Sequence, residues 1–158
     1  MKKTFVKFGA FALALILTLT VFCACGVKVG DDKAIATDPY YSEDYGNYTI
    51  TVNLIIYNPD SSKAPLFSGT VELQTIRHMA YEAVEAACAA KSIEIVGLNE
   101  YSSFISTIAG VGYVENGDGT YSAWSCKING GFSAGVGAQQ LRDGDLFEIV
   151  YETAAITW

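Results

Sequence analysis

Four cysteines, one histidine and 17 acidic side chains are the groups from which this chain could build a reactive site. A catalytic histidine needs a nucleophile on one side and an orienting carboxylate on the other. His78 stands alone, near the start of a predicted helix, and reads as a surface residue. No Gly-x-Ser-x-Gly elbow, phosphate-binding loop or His-Glu-x-x-His accompanies it. Asp143-Gly144-Asp145 places two carboxylates across a glycine, far short of the six or more oxygens of a calcium cage. It reads instead as a tight turn before a strand. Cys88 and Cys126, with a single histidine, make no zinc set. They allow either a disulfide or a buried pair of free thiols. The expectation is therefore a protein without catalysis and without an intrinsic metal or cofactor. What remains is recognition chemistry. Trp124 lies in a stretch rich in glycine (Gly130, Gly131, Gly135, Gly137), where backbone can approach a ligand closely. A flat ligand stacked on that indole would gain roughly 0.5–1.5 kcal/mol beyond burial. By strand parity with Ile128, Trp124 turns to the core; the other reading leaves one face of its ring open at the sheet end.

These residues need a scaffold, and the hydrophobic pattern supplies one. Ile50, Val52, Leu54 and Ile56 alternate with polar neighbours, the signature of a strand. Asn58-Pro59-Asp60 breaks it, and a second strand fits residues 69–73. Ile76, Ala80, Val84 and Cys88 then recur every fourth residue, a single apolar stripe of a helix, with Thr75 as its expected N-cap. Residues 92–96 and 104–108 predict two short strands. Asn116-Gly117-Asp118-Gly119 and Asn129-Gly130 are hairpin turns, and alternation over residues 147–152 predicts the closing strand. Two strands, one helix and several further strands predict an α+β domain, with a β-grasp-like mixed or antiparallel sheet covered by one α-helix. In that arrangement Cys88 and Cys126 both face the seam between helix and sheet, within bridging geometry.

The N-terminus predicts an address. Lys2, Lys3 and Lys7 precede an uncharged apolar run over residues 8–22, shorter than the roughly 20 residues of a membrane span. Phe22-Cys23-Ala24-Cys25-Gly26 follows and resembles a bacterial lipobox, with Cys25 as the lipidated residue because the small Ala24 precedes it. The expected organisation is a lipoprotein signal peptide over residues 1–24, a flexible acidic tether over 25–47 and one domain over 48–158. The tether's tyrosines (Tyr40, Tyr41, Tyr45, Tyr48) would pack on the domain or on a partner. The signal segment holds three of the 10 basic residues and none of the 17 acidic ones, so the mature chain has seven against 17, a net charge of −10. Such a surface opposes nucleic acid and anionic lipid by repulsion. The membrane is reached by the lipid anchor alone, at the outer face of the bacterial cell membrane.

Over residues 48–153 the chain resembles the transcobalamin-like C-terminal domain, found at the ends of cobalamin carriers and in many bacterial surface proteins. Three segments carry the likeness: Tyr101-Ser102-Ser103-Phe104 running into residues 105–110, Trp124-Ser125-Cys126-Lys127-Ile128-Asn129-Gly130, and Arg142-Asp143-Gly144-Asp145. In the vertebrate carriers this domain lies against one face of the corrin and a separate helical barrel covers the other. The resemblance implies a corrinoid ligand, with Tyr101, Ser102, Phe104, Trp124, Gly131 and Phe132 facing it. No helical-barrel segment occurs here, so a lone domain would hold the ligand weakly unless a partner closed over it. The alternative is a surface adhesion or structural module that binds an envelope protein or a glycan.

Overall fold

A computed structural model describes residues 27–102, 104–133 and 135–156. The signal segment and the proposed lipidation residue Cys25 lie outside the described residues. The strands are β1 (Asp32–Thr37), β2 (Ile50–Ile56), β3 (Phe67–Gln74), β4 (Ile95–Val96), β5 (Thr107–Ile108) and β6 (Val111–Gly112). They continue with β7 (Val114–Glu115), β8 (Thr120–Ile128), β9 (Gly131–Phe132) and β10 (Leu146–Ala155). One α-helix, α1 (Ala80–Ala90), occurs among the described residues, with a short 3-10 turn at Glu43–Tyr45. The class is α+β. Seven strands form a mixed sheet in the order β1-β3-β2-β10-β8-β7, with β9 also on β8, and β4-β5-β6 form a second, smaller sheet.

Local sequence accounts for the turns. Asn129 (φ 51°) and Gly130 (φ 81°) supply the left-handed pair that a two-residue hairpin needs between β8 and β9. Asp143 and Asp145 serve turns as acceptors. Asp143 accepts the Thr51 N–H at 2.8 Å, and Asp145 accepts the Arg142 N–H at 2.8 Å and the Asn129 side-chain amide at 2.8 Å. β10 then enters the centre of the sheet, parallel to β2 and antiparallel to β8.

The apolar faces of β2, β3 and β10 bury Val52, Leu54, Ile56, Phe67, Val71, Leu73, Phe147 and Ile149. Each such side chain contributes about 1.5–3 kcal/mol on leaving water. Helix α1 lies over β1 and β3, with Ala80, Ala83, Val84, Ala87 and Cys88 facing inward. The other half of the sheet has a different cover. There Ile105, Ile108 and Val136 join the core from loops and from the small sheet.

Three expectations require correction. Residues 25–47 were expected to be a tether without strand character; within them Asp32–Thr37 is an edge strand, parallel to β3 in continuous register. It is buried through two small residues, Ala34 and Ala36. Gly69 permits that docking, because a Cβ there would lie 1.8 Å from the Asp32 carbonyl oxygen. The helix starts at Ala80 rather than after Thr75. Thr75 donates to the Glu82 carboxylate at 2.7 Å, and that carboxylate accepts the Met79 N–H at the helix start at 2.7 Å. His78 is not on the helix surface. It is buried before the helix at φ 49°, with Nε2 2.7 Å from the Tyr48 carbonyl and its ring 4.7 Å from that of Tyr48. Of the N-terminal tyrosines, Tyr48 thus packs on the domain and Tyr41 bonds Thr49 at 2.6 Å, while Tyr40 and Tyr45 stay exposed.

Candidate functional site

Strand β8 organises the candidate site. Its residues alternate between a core face (Ser122, Trp124, Cys126) and an outer face (Tyr121, Ala123, Ser125, Lys127). Trp124 is 5% exposed, and its indole N–H donates to the Val111 carbonyl at 2.7 Å. Tyr151, opposite it on β10, packs ring against ring at 5.2 Å and donates to the Gly112 carbonyl at 2.7 Å. These two bonds tie β6 down onto the sheet. The core reading of Trp124 by parity therefore holds, yet the same residue also borders open space.

A cavity of 790 Å³ runs along the outer edge of β8, within the usual range for small-molecule sites. One wall carries Phe104, Ile105 and Ser106; another carries Phe132, Ser133, Gly135 and Val136. Tyr113 and Tyr121 close one end, stacked at 5.7 Å and 27°. The floor is Ala123, Trp124, Ser125 and Cys126, with Glu152, Thr153 and Ala154 of β10 beside it. Phe104 and Phe132 stand at the mouth, 79% and 75% exposed. Large apolar side chains left in water around a cavity mark a binding surface rather than a core.

The polar groups of the floor are already engaged. Ser125 donates to the Glu152 carboxylate, and Lys127 pairs with the same carboxylate at 3.0 Å. The Ser125 hydroxyl and then Lys127 hold the Glu152 carboxyl below its ordinary pKa. Lys127 also lies 5.0 Å over the Phe132 ring, a cation–π contact that orients the ring. Glu152 is the sole charged residue among the described residues of the lining.

The six residues expected to face a ligand divide. Phe104, Trp124 and Phe132 converge on the cavity. Tyr101, Ser102 and Gly131 do not line it. Tyr101 projects into solvent, 85% exposed. Ser102 is consumed by a turn: its hydroxyl accepts the Asn99 N–H at 2.9 Å and donates to the Gly97 carbonyl at 2.9 Å. Its carbonyl takes the Gly137 N–H at 2.8 Å. Gly131 serves the β8–β9 hairpin. Tyr113, Tyr121 and Glu152 were not anticipated. The Asn116–Gly119 hairpin signal could have found the tyrosines, because its register sets Val114 opposite Ser122 and brings Tyr113 and Tyr121 onto one face.

The cysteines do not form a bridge. Both are buried free thiols. Cys88 is on α1, over β1 and β3, whereas Cys126 is on β8, beyond β2 and β10. Three strand steps from β3 to β8 span about 14 Å, far more than a disulfide allows. Burial raises the thiol pKa of Cys88 to about 11, with Glu85 adding to the effect, and that of Cys126 to about 12. Thiols so perturbed are poor nucleophiles at neutral pH. No cluster of three or more metal-ligating side chains occurs among the described residues, and none of their helices is long and apolar enough to cross a membrane. No protein-family model matches the chain, and no curated protein matches it.

Proposed function

We propose that the chain is a non-catalytic surface lipoprotein whose cleft captures a large flat ligand, a cobalamin or a related corrinoid. The observation that carries this reading is the convergence of Phe104, Trp124 and Phe132 on one cavity. Phe104 and Trp124 come from two separate segments that carry the likeness to the transcobalamin-like domain, and Phe132 follows two residues after the second. A β-grasp-like plan is part of the proposal. The β2–β3 hairpin, the helix that follows and the parallel insertion of β10 beside β2 support it. In the proposed complex the two mouth phenylalanines take one face and edge of the macrocycle. The tyrosine pair abuts its rim. His78, held at Tyr48, lies outside the cleft lining, so the ring would be gripped by its faces and periphery rather than through its metal. With one side of the cleft open, affinity is modest until a partner closes over it. Lipidation at Cys25 would hold the domain at the outer face of the membrane, and Cys25→Ser would release the protein into the medium.

The test is a titration of the full-length chain, in detergent, with cyanocobalamin and cobinamide, followed by tryptophan fluorescence and heat. Saturable binding is expected. Phe104→Ala and Phe132→Ala should each weaken it about tenfold while leaving the melting temperature nearly unchanged, since both rings are exposed. Absence of any response at high ligand concentration overturns the reading. It would favour the second one, in which the exposed aromatics Phe104, Tyr113 and Phe132 dock an envelope protein or a glycan.

A further inference from the structure

Strand β1 limits how far the domain can stand from a lipid at Cys25. The Gly30 N–H donates to the Ser68 hydroxyl at 2.7 Å, and a Cβ on Gly30 would lie 2.6 Å from the Ser68 carbonyl oxygen. The chain is thus already docked on β3 at Gly30, and its register on β3 runs unbroken from Asp32 to Thr37. Five peptide units separate Cys25 from Gly30. Fully extended, they reach at most about 18 Å.

The strand directions say which end of the domain is held so closely. β1 and β3 are parallel and start together, with Asp32 beside Gly69. β2 ends there too, with Ile56 opposite Phe67, so the loop over residues 57–66 belongs to the same end. The C-terminus of α1 joins it through Lys91, whose Nζ lies 2.7 Å from the Asp32 carboxylate. At the far end β1 and β3 finish at Thr37 and Gln74, and β2 begins at Ile50. The turn over residues 142–145 is bonded to Thr51 there. From Gly30 to Thr37 an extended chain spans about 23 Å. Inverting the domain, with its far end on the bilayer, would lift Gly30 by that length, more than the leash allows.

Charge divides along the same axis. At the anchored end, residues 27–33, 57–67 and 89–94 hold Lys28, Lys33, Lys63 and Lys91 against four acidic side chains, so that end has no net charge. At the far end, residues 37–50, 72–82 and 142–145 hold Arg77 and Arg142 against seven acidic side chains, a net charge of −5. An anionic leaflet repels the acidic end over a Debye length, about 8 Å, and leaves the neutral end unopposed.

We infer that the end built from residues 27–33, the 57–66 loop and the C-terminus of α1 is a membrane-facing surface, resting against the phospholipid bilayer that holds the Cys25 anchor. The inference rests on the lipidation reading above and deepens it. The acidic end faces outward, and with it Tyr40 and Tyr45, which are exposed there.

The test uses the mature acylated chain in vesicles of phosphatidylethanolamine and phosphatidylglycerol that carry a headgroup quencher. Ala64→Cys, at the anchored end, and Tyr45→Cys, at the far end, are each labelled with a fluorophore. Both positions are exposed, and Cys88 and Cys126 are buried away from the label. The label at position 64 should be quenched several-fold more strongly than the label at position 45. Equal quenching, or stronger quenching at position 45, in protein that floats with the vesicles overturns the docking and leaves lipidation standing. Protein that does not float with the vesicles defeats the lipidation reading and the docking with it.

Discussion

Over β1 and β3 the sheet is closed by one regular helix, whereas over β8 and β10 it is closed by loops and two-residue strands. In the first half small inward residues (Ala80, Ala83, Ala87) let the helix approach, and Val84 and Cys88 are fully buried beneath it. In the second half the cover is pinned by single hydrogen bonds, from Trp124 to Val111 and from Tyr151 to Gly112. Its rim is aromatic and its edge is left open. A continuous amphipathic stripe seals whatever it lies on. An irregular cover leaves a concavity whose lining can be varied without dismantling the fold, and binding residues gather on such segments when a rigid sheet positions them.

The contrast can be broken at its hinge first. Phe147 is fully buried on β10, the strand that joins the two halves. Phe147→Ala should cost about 3–5 kcal/mol, and both halves should unfold in one transition by chemical denaturation. The helix half can then be perturbed alone. Gly69→Ala drives a methyl group into the Asp32 carbonyl and should cost about 1–3 kcal/mol. Hydrogen exchange should rise in β1 and stay slow in β8 and β10. The complementary change is Trp124→Phe, which keeps an aromatic ring but leaves the Val111 carbonyl without its donor. A loss of about 1–2 kcal/mol is expected, with faster exchange confined to β5, β6 and their loops.

The smallest effect is electrostatic. Glu152 has its folded pKa held below the ordinary 4.5, first by Ser125 and then by Lys127. Its stabilising contribution is therefore complete above the unfolded value and is lost as pH falls through the lowered folded value. Acidification below the ordinary glutamate value of 4.5 should loosen the cleft floor, as read from Ser125 and Lys127 chemical shifts.

What was legible in the sequence was local. Gly117, Gly119 and the Asn129-Gly130 pair adopt left-handed backbone, so the turns at residues 116–119 and 129–130 could be read directly from their residue types. Alternation over residues 50–56 and 147–152 likewise marked two central strands. The rest depended on placement across the sheet, which no local pattern carries. Asp32–Thr37 buries only Ala34 and Ala36, too little apolar surface to announce a strand. Cys88 and Cys126 each pointed inward as expected, but the helix is displaced sideways from the strand that holds Cys126. Ser102 resembled a ligand contact by position, yet its hydroxyl had a nearer use in its own turn. The cleft needs β7 and β9 to stop short of one another along β8, a consequence of two hairpin lengths taken together.

Strand β1 has a practical consequence for anyone trimming the chain. A fragment begun at Tyr48, the boundary that composition suggests, would leave β3 paired with β2 alone and make it the edge of the sheet. The bared strand, Phe67–Gln74, alternates Phe67, Val71 and Leu73 with polar residues and contains no proline. An open edge of that kind templates pairing between copies. Asp32–Thr37 thus acts as a built-in guard against self-association: the shortened fragment should precipitate on concentration where the longer one stays monodisperse.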